Sequence, residues 1–380
     1  MYSNIFLKTF RILLFPIAII YWLIIFIRNK FYDLKILDSA TFGLPLICVG
    51  NLSVGGTGKS PMVEFLVRNL KEDFRVATLS RGYKRKTRGY ALANERSDAL
   101  EIGDEPMQFK LKFPDVPVAV GEERLDAISQ LLHDRPDIQS IILDDAFQHR
   151  TIKAGMNILL TDYNNLFTRD FYLPTGDLRD LKSSYKRAEI IVVTKCEPFL
   201  AEKEKNKIIE EIQPLAKQHI FFAANLYTAP YHIIRNHETI SFFPGTEILL
   251  VTGIANPQPL KDLVMDHSET YYMLHYPDHH IFTIDDWKDI KKRFDKIEAE
   301  KKIILTTEKD AVRLSKFGKQ LDNVPLYVIP LQHHFLFNEE EKFVSLIKNY
   351  IKDFKIKEEK NNGKKKFKEE KRQTKGQAET

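Results

Sequence analysis

Gly50-Asn-Leu-Ser-Val-Gly-Gly-Thr-Gly-Lys-Ser-Pro61 lies between the apolar run Leu44–Gly50 and the amphipathic stretch Met62–Leu70. A buried strand, a glycine-rich turn and a helix in this order are typical of a phosphate-binding loop. Its backbone N–H groups and the N-terminus of its helix meet the phosphate. A glycine turn before a helix also occurs in ordinary loops, but Lys59 and Ser60 at its end favour phosphate binding. The sequence therefore predicts a nucleoside triphosphate site.

Each residue type in this loop has an expected chemical role. The Lys59 ammonium group is expected to reach the β- and γ-phosphates, and the Ser60 hydroxyl to ligate Mg²⁺. The strict pattern G-x-x-x-x-G-K-[ST] would place its first glycine where this chain has Ser53. The predicted nucleotide-binding residues of the loop are Ser53, Val54, Gly55, Gly56, Thr57, Gly58, Lys59 and Ser60.

A second apolar run, within Ser140–His149, ends in two adjacent carboxylates, Asp144 and Asp145. A phosphate-loop enzyme needs an acid at a neighbouring strand end to hold Mg²⁺ or its water shell. Because neighbouring residues of a strand point to opposite faces, we expect one of the two to contribute more than the other. Two acids after a strand also occur as helix caps, but the preceding phosphate loop favours the metal role.

Other polar residues stand at expected strand ends or helix starts. Gly103-Asp-Glu-Pro106 is the expected start of a helix, and these residues alone favour Asp104 as an ordinary N-cap. Arg124 and Arg179 each follow an expected strand end, where a guanidinium group suits bidentate phosphate binding. Arginines are also common on protein surfaces, so the sequence alone leaves both interpretations open.

Tyr276-Pro-Asp-His-His280 follows a predicted strand in the C-terminal part of the chain. Asp278 beside His279 is a candidate acid–base pair, since a carboxylate can fix the tautomer and orientation of an imidazole. A single histidine is more often structural, and this alternative stays open. Two α/β halves joined by a hairpin suggest a cleft between them, and Thr306–Ala311, at another strand end, is expected to contribute to it.

Short apolar runs alternate with stretches of helical period, as in parallel sheets covered by helices. We predict an α/β fold with a P-loop NTPase-type parallel-sheet domain and a smaller C-terminal α/β domain linked by a hairpin, after an N-terminal membrane helix. The predicted bounds are 1–32 for the membrane helix, 33–225 for the P-loop domain, 226–246 for the hairpin linker, 247–354 for the smaller domain and 355–380 for a charged tail. Predicted strands are 44–50, 75–80, 116–121, 140–144, 157–161, 190–195, 219–224, 247–253, 270–275, 302–307 and 325–329.

Charge and cysteine content exclude several classes of protein. The net charge of +5 belongs to residues 355–380, which carry ten Lys/Arg and five Asp/Glu, so the rest of the chain is balanced. This polar tail is predicted to be a disordered, solubilising segment, with contact to anionic lipid or nucleic acid as the alternative. The two cysteines, Cys48 and Cys196, lie in strand-like runs, which argues against a disulfide framework or a zinc site and fits a reducing compartment.

The N-terminal segment Ile12–Ile27 has sixteen uncharged residues with basic residues on both sides. As a helix it covers about 24 Å of a hydrocarbon core of about 30 Å, and Thr9 and Phe10 extend it if Arg11 snorkels. No small-residue cleavage site follows, which argues against a signal peptide and leaves a buried helix as the alternative. The flanking charges do not decide the orientation. The triphosphate site does, because ATP is cytoplasmic.

These motifs resemble those of the tetraacyldisaccharide 4′-kinases, also called lipid A 4′-kinases. The resemblance spans about residues 1–354, and the family has Ser or Thr at the position of Ser53. After Arg179 the family usually has Glu, whereas this chain has Asp180. The matching strings, in the same order, are Gly50–Pro61, Leu79–Tyr83, Gly103–Pro106, Asp144–His149, Thr252–Pro257, Asp278–His279 and Thr307–Asp310.

The resemblance implies transfer of the ATP γ-phosphate to the 4′-hydroxyl of an acylated glucosamine disaccharide 1-phosphate, giving lipid IVA. It implies that Asp104 takes the hydroxyl proton and that His279, oriented by Asp278, is coupled to it. By the same resemblance, Lys59, Arg124 and Arg179 steady phosphates. The implied Mg²⁺ ligands are Ser60, Glu105, Asp144 and Asp145.

The implied substrate stays in the bilayer, so the resemblance places the enzyme at the cytoplasmic face of the bacterial inner membrane, in contact with its lipid. Two other functions fit part of the sequence. A dimeric P-loop ATPase switch that recruits protein partners to membranes uses an early lysine in the loop, and Ser53–Gly58 has none. A nucleic-acid-binding ATPase would use the basic tail, but the neutral body has no basic aromatic face, so no nucleic acid is expected as a partner.

Overall fold

The computed structural model describes residues 14–235, 238–241, 245–268, 270–354 and 356. They form two compact units that are discontinuous in sequence. Unit 1 takes in the described residues up to Arg81, Glu123–Ala224 and those from His333 onwards. Unit 2 takes in Gly82–Glu122 and the described residues of Asn225–Gln332.

Helices and strands alternate along most of the described chain. The helices are α1 (Phe15–Asp33), α2 (Lys59–Leu70), α3 (Ala99–Ile102), α4 (Asp104–Lys112), α5 (Arg124–Asp134), α6 (Glu202–Ile212), α7 (Gln258–His267), α8 (Ile284–Asp295), α9 (Glu308–Leu314) and α10 (340–354). The strands are β1 (Leu46–Asn51), β2 (Val76–Ser80), β3 (Ala91–Leu92), β4 (Val118–Val120), β5 (Ser140–Asp144), β6 (Met156–Asp162), β7 (Ile190–Cys196), β8 (His219–Tyr227), β9 (Tyr231–His232), β10 (Glu247–Thr252), β11 (Tyr271–His275), β12 (Lys302–Thr307), β13 (Leu326–Ile329) and β14 (Leu331–Phe335).

Unit 1 is built on a sheet in which seven neighbouring strands have the order β14-β8-β7-β6-β1-β5-β2. Strands β2, β5, β1, β6, β7 and β8 are parallel in register, for example Leu46 beside Ile141 and Ile47 beside Met156. Every residue of β1 is buried, as expected of a strand covered on both faces. Since β1 and β5 are parallel neighbours, the loops after Asn51 and Asp144 emerge at the same edge of the sheet.

Unit 2 contains a five-stranded sheet of order β11-β10-β12-β13-β9, in which only β9 is antiparallel to its neighbour. Alternate residues of β10 enter two separate cores. Leu249 and Val251 pack with Phe282 and Trp287, whereas Ile248 and Leu250 pack with residues that include Leu260. The antiparallel pair β3–β4 belongs to the same unit, and α4 packs against α9.

Helix α1 belongs to unit 1. One of its faces packs on the rest of that unit, and the opposite, apolar face is exposed. The Tyr21 hydroxyl donates to the carbonyl oxygen of Arg179 (3.2 Å), and buried Asn29 Nδ2 donates to Asp180 Oδ1 (2.8 Å). The helix is long and apolar enough to cross a membrane. Core helices of soluble proteins and signal sequences share this length and composition. It extends past the predicted end at Ile27, and the predicted start at Ile12 lies outside the described residues. Its exposed large side chains include Ile17, Ile20, Ile24, Ile27 and Phe31.

The predicted α/β fold class is confirmed, and each predicted strand coincides with an observed strand to within a few residues. The predicted domain bounds stay predictions. Two segments, 82–122 and 333–354, fall in the unit other than the one predicted for them, because they cluster with sequence-distant residues. Within the predicted hairpin linker, Tyr231 forms a bridge with Thr239. The predicted tail lies outside the described residues apart from Ile356.

Asp180 holds α1 on unit 1. Its Oδ1 accepts from Asn29, from Ser184 Oγ (2.9 Å) and from the Leu181 N–H (2.8 Å), and its Oδ2 pairs with Arg187 (2.9 Å). With its side chain 4% exposed, this carboxylate has a structural role.

We expect Asp180→Ala to lower the free energy of unfolding by about 2–4 kcal/mol, because it removes the carboxylate that accepts from buried Asn29 and pairs with the Arg187 guanidinium group, and leaves each with a longer contact only. Urea denaturation in detergent measures this change. Asp126→Ala, which removes an exposed carboxylate from the same unit, is the control. Loss of nucleotide affinity with unchanged stability would instead assign Asp180 to the nucleotide site.

Candidate active site

The phosphate-binding loop, Leu52–Gly58, connects β1 to α2. Gly55 (φ 101°) and Gly58 (φ 84°) have left-handed backbone conformations that L side chains rarely adopt. Gly58 is the N-cap of α2 and has no side chain that could cap the helix. The N-terminus of α2 therefore begins at the loop without a cap from its own N-cap residue, a geometry suited to an anionic ligand.

Side chains from β1, from β7 and from the segment after β5 contact the loop and its entry. Asn51 Nδ2 donates to Thr57 Oγ1 (2.8 Å), and Thr194 Oγ1 donates to the Thr57 carbonyl oxygen (2.9 Å). Gln148 donates through Nε2 to the Asn51 carbonyl oxygen (2.8 Å). The loop is thus fixed by contacts on both of its sides within unit 1.

Two predicted phosphate-binding cations meet at Asp145. Lys59 Nζ lies 3.8 Å from Asp145 Oδ1, and Arg179 NH1 donates to Asp145 Oδ2 (3.1 Å). Burial acts to raise the pKa of Asp145, but the positive charges of Lys59 and Arg179 outweigh it, and the pKa falls below its ordinary value. Asp145 therefore stays ionised and holds both cations beside the loop.

Arg124 and Asp144 form the buried side of the same cluster. Arg124 is 1% exposed, and burial lowers its pKa to about 10 against the opposing charges of Asp144 and Asp145. Asp144, the last residue of β5, accepts a hydrogen bond from Ser80 Oγ at Oδ2 (3.2 Å). The structure therefore brings together five of the predicted residues: Lys59, Arg124, Asp144, Asp145 and Arg179.

This donor set fits a triphosphate with Mg²⁺. Arg179 Nε is buried without a hydrogen-bond partner among the described residues, and a phosphate oxygen would satisfy it. Ser60, Asp144 and Asp145 offer the hard oxygen ligands that Mg²⁺ prefers. The described residues contain no cluster of three or more His, Cys, Asp or Glu that could hold a metal ion.

Glu105 lies in unit 2, where its Oε1 accepts from Lys309 Nζ (3.2 Å). The other predicted metal ligands, Ser60, Asp144 and Asp145, lie in unit 1. The metal role of Glu105 therefore stays a prediction.

Asp104 is the first residue of α4, and the N-cap is Gly103 (φ 98°). The interpretation of Asp104 as an ordinary N-cap is therefore wrong. Its Oδ2 instead accepts from Arg313 NH2 (2.6 Å) and lies 3.1 Å from His279 Nδ1. Burial acts to raise the pKa of Asp104, but the Arg313 hydrogen bond and charge, with His279, bring it below its ordinary value.

His279 lies between two carboxylates: one ring nitrogen contacts Asp104, and the other faces Asp278. Its Nδ1 also lies 3.0 Å from Arg313 NH2, and its Nε2 lies 3.8 Å from Asp278 Oδ2. Nδ1 donates to Asp104 in one tautomer and accepts from Arg313 in the other. The structure thus brings together the three predicted acid–base residues Asp104, Asp278 and His279.

Arg313 is a residue that sequence reasoning missed. Its side chain is 5% exposed and contacts Asp104 through NH2 and Asp310 Oδ1 through NH1 (3.3 Å). Buried Asp310 also accepts from the Gly253 N–H (3.0 Å), so the strings Thr252–Pro257 and Thr306–Ala311 meet here. The available signal was spacing, since Arg313 follows Asp310 by three residues on one helix.

Comparison with known proteins identifies the family. A family model described as tetraacyldisaccharide-1-P 4′-kinase matches residues 10–352. A tetraacyldisaccharide 4′-kinase of Bacteroides thetaiotaomicron is 42% identical over 353 residues, covering 90% of this chain and 93% of that protein. One of Flavobacterium johnsoniae is 44% identical over 345 residues, covering 90% of this chain and 98% of that protein.

A solved structure also resembles this chain. The crystal structure of LpxK from Aquifex aeolicus in complex with ATP superposes with a TM-score of 0.70 at 27% identity, covering 90% of this chain and 99% of that one. The match of the family model over nearly the whole chain confirms the resemblance seen in the motifs. This chain belongs to the tetraacyldisaccharide 4′-kinase family.

Proposed function

We propose that this chain transfers the γ-phosphate of ATP to the 4′-hydroxyl of tetraacyldisaccharide 1-phosphate, forming lipid IVA in lipid A biosynthesis. The observation that carries the proposal is the pair Asp104–His279, a candidate acceptor-activating group in a chain that also has a phosphate-binding loop. A P-loop ATPase switch that recruits protein partners needs no such pair. Family membership likewise favours the kinase.

The donor half of the reaction is assigned to unit 1. The amides of Ser53–Ser60 bind the phosphates, and Lys59, Arg124 and Arg179 balance the charge that develops on them. Ser60 and Asp144 would hold Mg²⁺, and the bound ion would supply positive charge to the phosphates. Asp144 at the end of β5 is the candidate ligand together with Ser60, whereas Asp145 contacts two cations and orients them.

The acceptor half is assigned to unit 2. Asp104 takes the proton of the 4′-hydroxyl while the new O–P bond forms and the bond between the γ-phosphorus and the bridging oxygen breaks, leaving ADP. Arg313 holds the Asp104 carboxylate in place and ionised. His279, in contact with both, is proposed to receive or share the proton, and Asp278 to orient its ring.

The membrane arrangement follows from the two faces of α1. Arg28 and Asn29 contact unit 1 on one side, through Gln148 and Asp180, while the opposite apolar side is exposed. We propose that this exposed side enters the cytoplasmic face of the inner membrane, where the acylated substrate resides, and that α1 lies on the protein as an interfacial helix.

Phosphate transfer from labelled ATP tests the proposed function directly. The acceptor is tetraacyldisaccharide 1-phosphate, and lipid IVA, whose 4′-position is already phosphorylated, is the matched control substrate. We expect labelled lipid product with the first and none with the second. ATP turnover that does not depend on the disaccharide would contradict the proposal.

Lys59→Met should lower the transfer rate by about 100-fold or more, because it removes the charge that meets the β- and γ-phosphates without disturbing a core. Single-turnover transfer measures the rate, and a thermal melt checks folding. Lys71→Met, just past the other end of α2, is the control and should keep its activity. Full turnover by Lys59→Met would contradict the assignment of the phosphate loop.

Asp104→Asn should lower the single-turnover rate by roughly 10²–10⁴-fold, the usual contribution of a general base, while ATP affinity barely changes. Asp98→Asn is the matched control, because Asp98 is a true N-cap that accepts from the N–H groups of Leu100 and Glu101. Adding His279→Ala should cost less than the product of the two single effects if the pair acts as a unit. A near-normal rate for Asp104→Asn would exclude it as the base.

Replacing Ile17, Ile20 and Ile24 together by Ser should release much of the protein from membranes, because these exposed side chains (52%, 59% and 61%) form the proposed lipid face. Sedimentation with membranes after a salt wash measures the release. Phe199→Ser, which changes a 96% exposed apolar residue of the same unit, should remain bound. Unchanged sedimentation of the triple variant would show that α1 is not the main anchor. Deleting α1 is a poorer test, since the deletion also removes Asn29 from Asp180.

A further inference from the structure

His333 is a buried residue of β14 whose ring contacts the backbone at the end of the phosphate-binding loop. Its side chain belongs to unit 1, and its Nε2 lies 2.9 Å from the carbonyl oxygen of Gly58. A Cβ atom built on Gly58 would lie only 2.8 Å from Cε1 of this ring. The glycine therefore serves two needs, its positive φ and the close approach of the imidazole.

The hydrogen bond fixes the state of the imidazole. A carbonyl oxygen only accepts, so Nε2 carries the proton and Nδ1 carries the lone pair. Burial lowers the pKa of His333 to about 4, with the Gly58 hydrogen bond opposing the shift. The ring is therefore neutral at physiological pH, and the donor at Nε2 persists.

The Gly58 carbonyl belongs to the same peptide unit as the Lys59 N–H. It accepts both from His333 and from the Met62 N–H (3.1 Å), the first hydrogen bond of α2. In a planar trans peptide the C=O and N–H bonds point in opposite directions. Holding the Gly58 carbonyl toward the helix therefore aims the Lys59 N–H out of its N-terminus, where an anion binds.

The preceding peptide unit is held in the same way. Thr194 Oγ1 donates to the Thr57 carbonyl oxygen (2.9 Å), which by the same geometry orients the Gly58 N–H. Side chains from β7 and β14 thus fix two consecutive amides of the loop. Because two side chains hold two successive carbonyls in the same way, we infer that the contact of His333 helps to set the backbone conformation of the loop.

The second ring nitrogen indicates what the histidine is for. Nδ1 of His333 is buried and has no hydrogen-bond partner among the described residues. A buried polar atom without a partner destabilises the folded protein, and a phenylalanine of similar size would avoid that cost. Packing alone therefore does not account for a histidine here, whereas the donor at Nε2 does.

We propose that His333 is a positioning residue for nucleotide binding, which holds the Gly58 carbonyl so that the Lys59 amide is aimed at a phosphate of ATP. The proposal rests on the proposed use of ATP as phosphate donor. Its effect is confined to the nucleotide, because His333 contacts the loop through Gly58 and is assigned no part in binding the lipid acceptor.

The test compares variants of His333 that keep or lack an N–H donor at the position of Nε2. His333→Phe keeps a ring and removes both nitrogens, whereas His333→Gln keeps an N–H donor near the position of Nε2. Isothermal titration with ATP and Mg²⁺ gives the dissociation constant, a thermal melt without nucleotide gives stability, and steady-state transfer gives KM for the lipid.

We expect His333→Phe to melt at or above the wild-type temperature and to bind ATP about three- to tenfold more weakly, the usual effect of one neutral hydrogen bond. The KM for the lipid should not change, and His333→Gln should recover part of the affinity. ATP affinity equal to wild type in a folded His333→Phe protein would overturn the proposal.

If His333→Phe does not fold, His333→Gln and His333→Met provide the same comparison, since the two side chains are similar in length and only Gln donates. Equal ATP affinity of this pair would also overturn the proposal. Transfer by the wild-type protein in the same assay separates this outcome from a failure of the proposed function, which would abolish transfer in every variant and in the wild type.

Discussion

The N-terminus of α2 is the constraint on which the phosphate-binding loop of unit 1 depends. The first amides of a helix have no partner within it, and the N-cap here, Gly58, has no side chain to supply one. The turn into α2 needs Gly55 and Gly58 at positive φ, and the bonds of Thr194 and His333 to two successive carbonyls keep the next amides directed outward. The parallel sheet places Asp144 at the same edge, because β5 is next to β1.

Each of the two units keeps one carboxylate ionised although it is buried. Asp145 does so with Lys59 and Arg179, and Asp104 does so with Arg313. The consequence differs between them. At Asp145 the pairing fixes cations that a phosphate also needs, whereas at Asp104 it lowers the basicity of the proposed proton acceptor. A loose phosphoryl-transfer transition state tolerates a weak base, since catalysis there depends mostly on position and charge.

Local pattern was enough to predict the loop, its strand and its helix, and the carboxylates at the end of β5, because each lies within one short segment. It was not enough for Arg313 or His333. Arg313 meets Asp104 across 209 positions of sequence, and His333 meets Gly58 across 275. Both contacts depend on tertiary packing. Spacing relates Arg313 to Asp310 on its own helix, but it gives no information on the contact with Asp104 or on that of His333 with Gly58. The same holds for the segment 82–122, whose place in unit 2 depends on contacts with distant residues.

Composition likewise could not distinguish a helix that crosses a membrane from one that lies on the protein, since both are apolar over a similar length. The difference lies in Asn29, a polar residue that α1 buries against Asp180. The Asp180 carboxylate is occupied by Asn29, Ser184 and Arg187. In this chain Asp180 therefore attaches α1 to the rest of unit 1. The neighbouring residue Arg179 donates to Asp145, so two adjacent residues connect α1, the proposed lipid-facing helix, to the cluster beside the phosphate-binding loop.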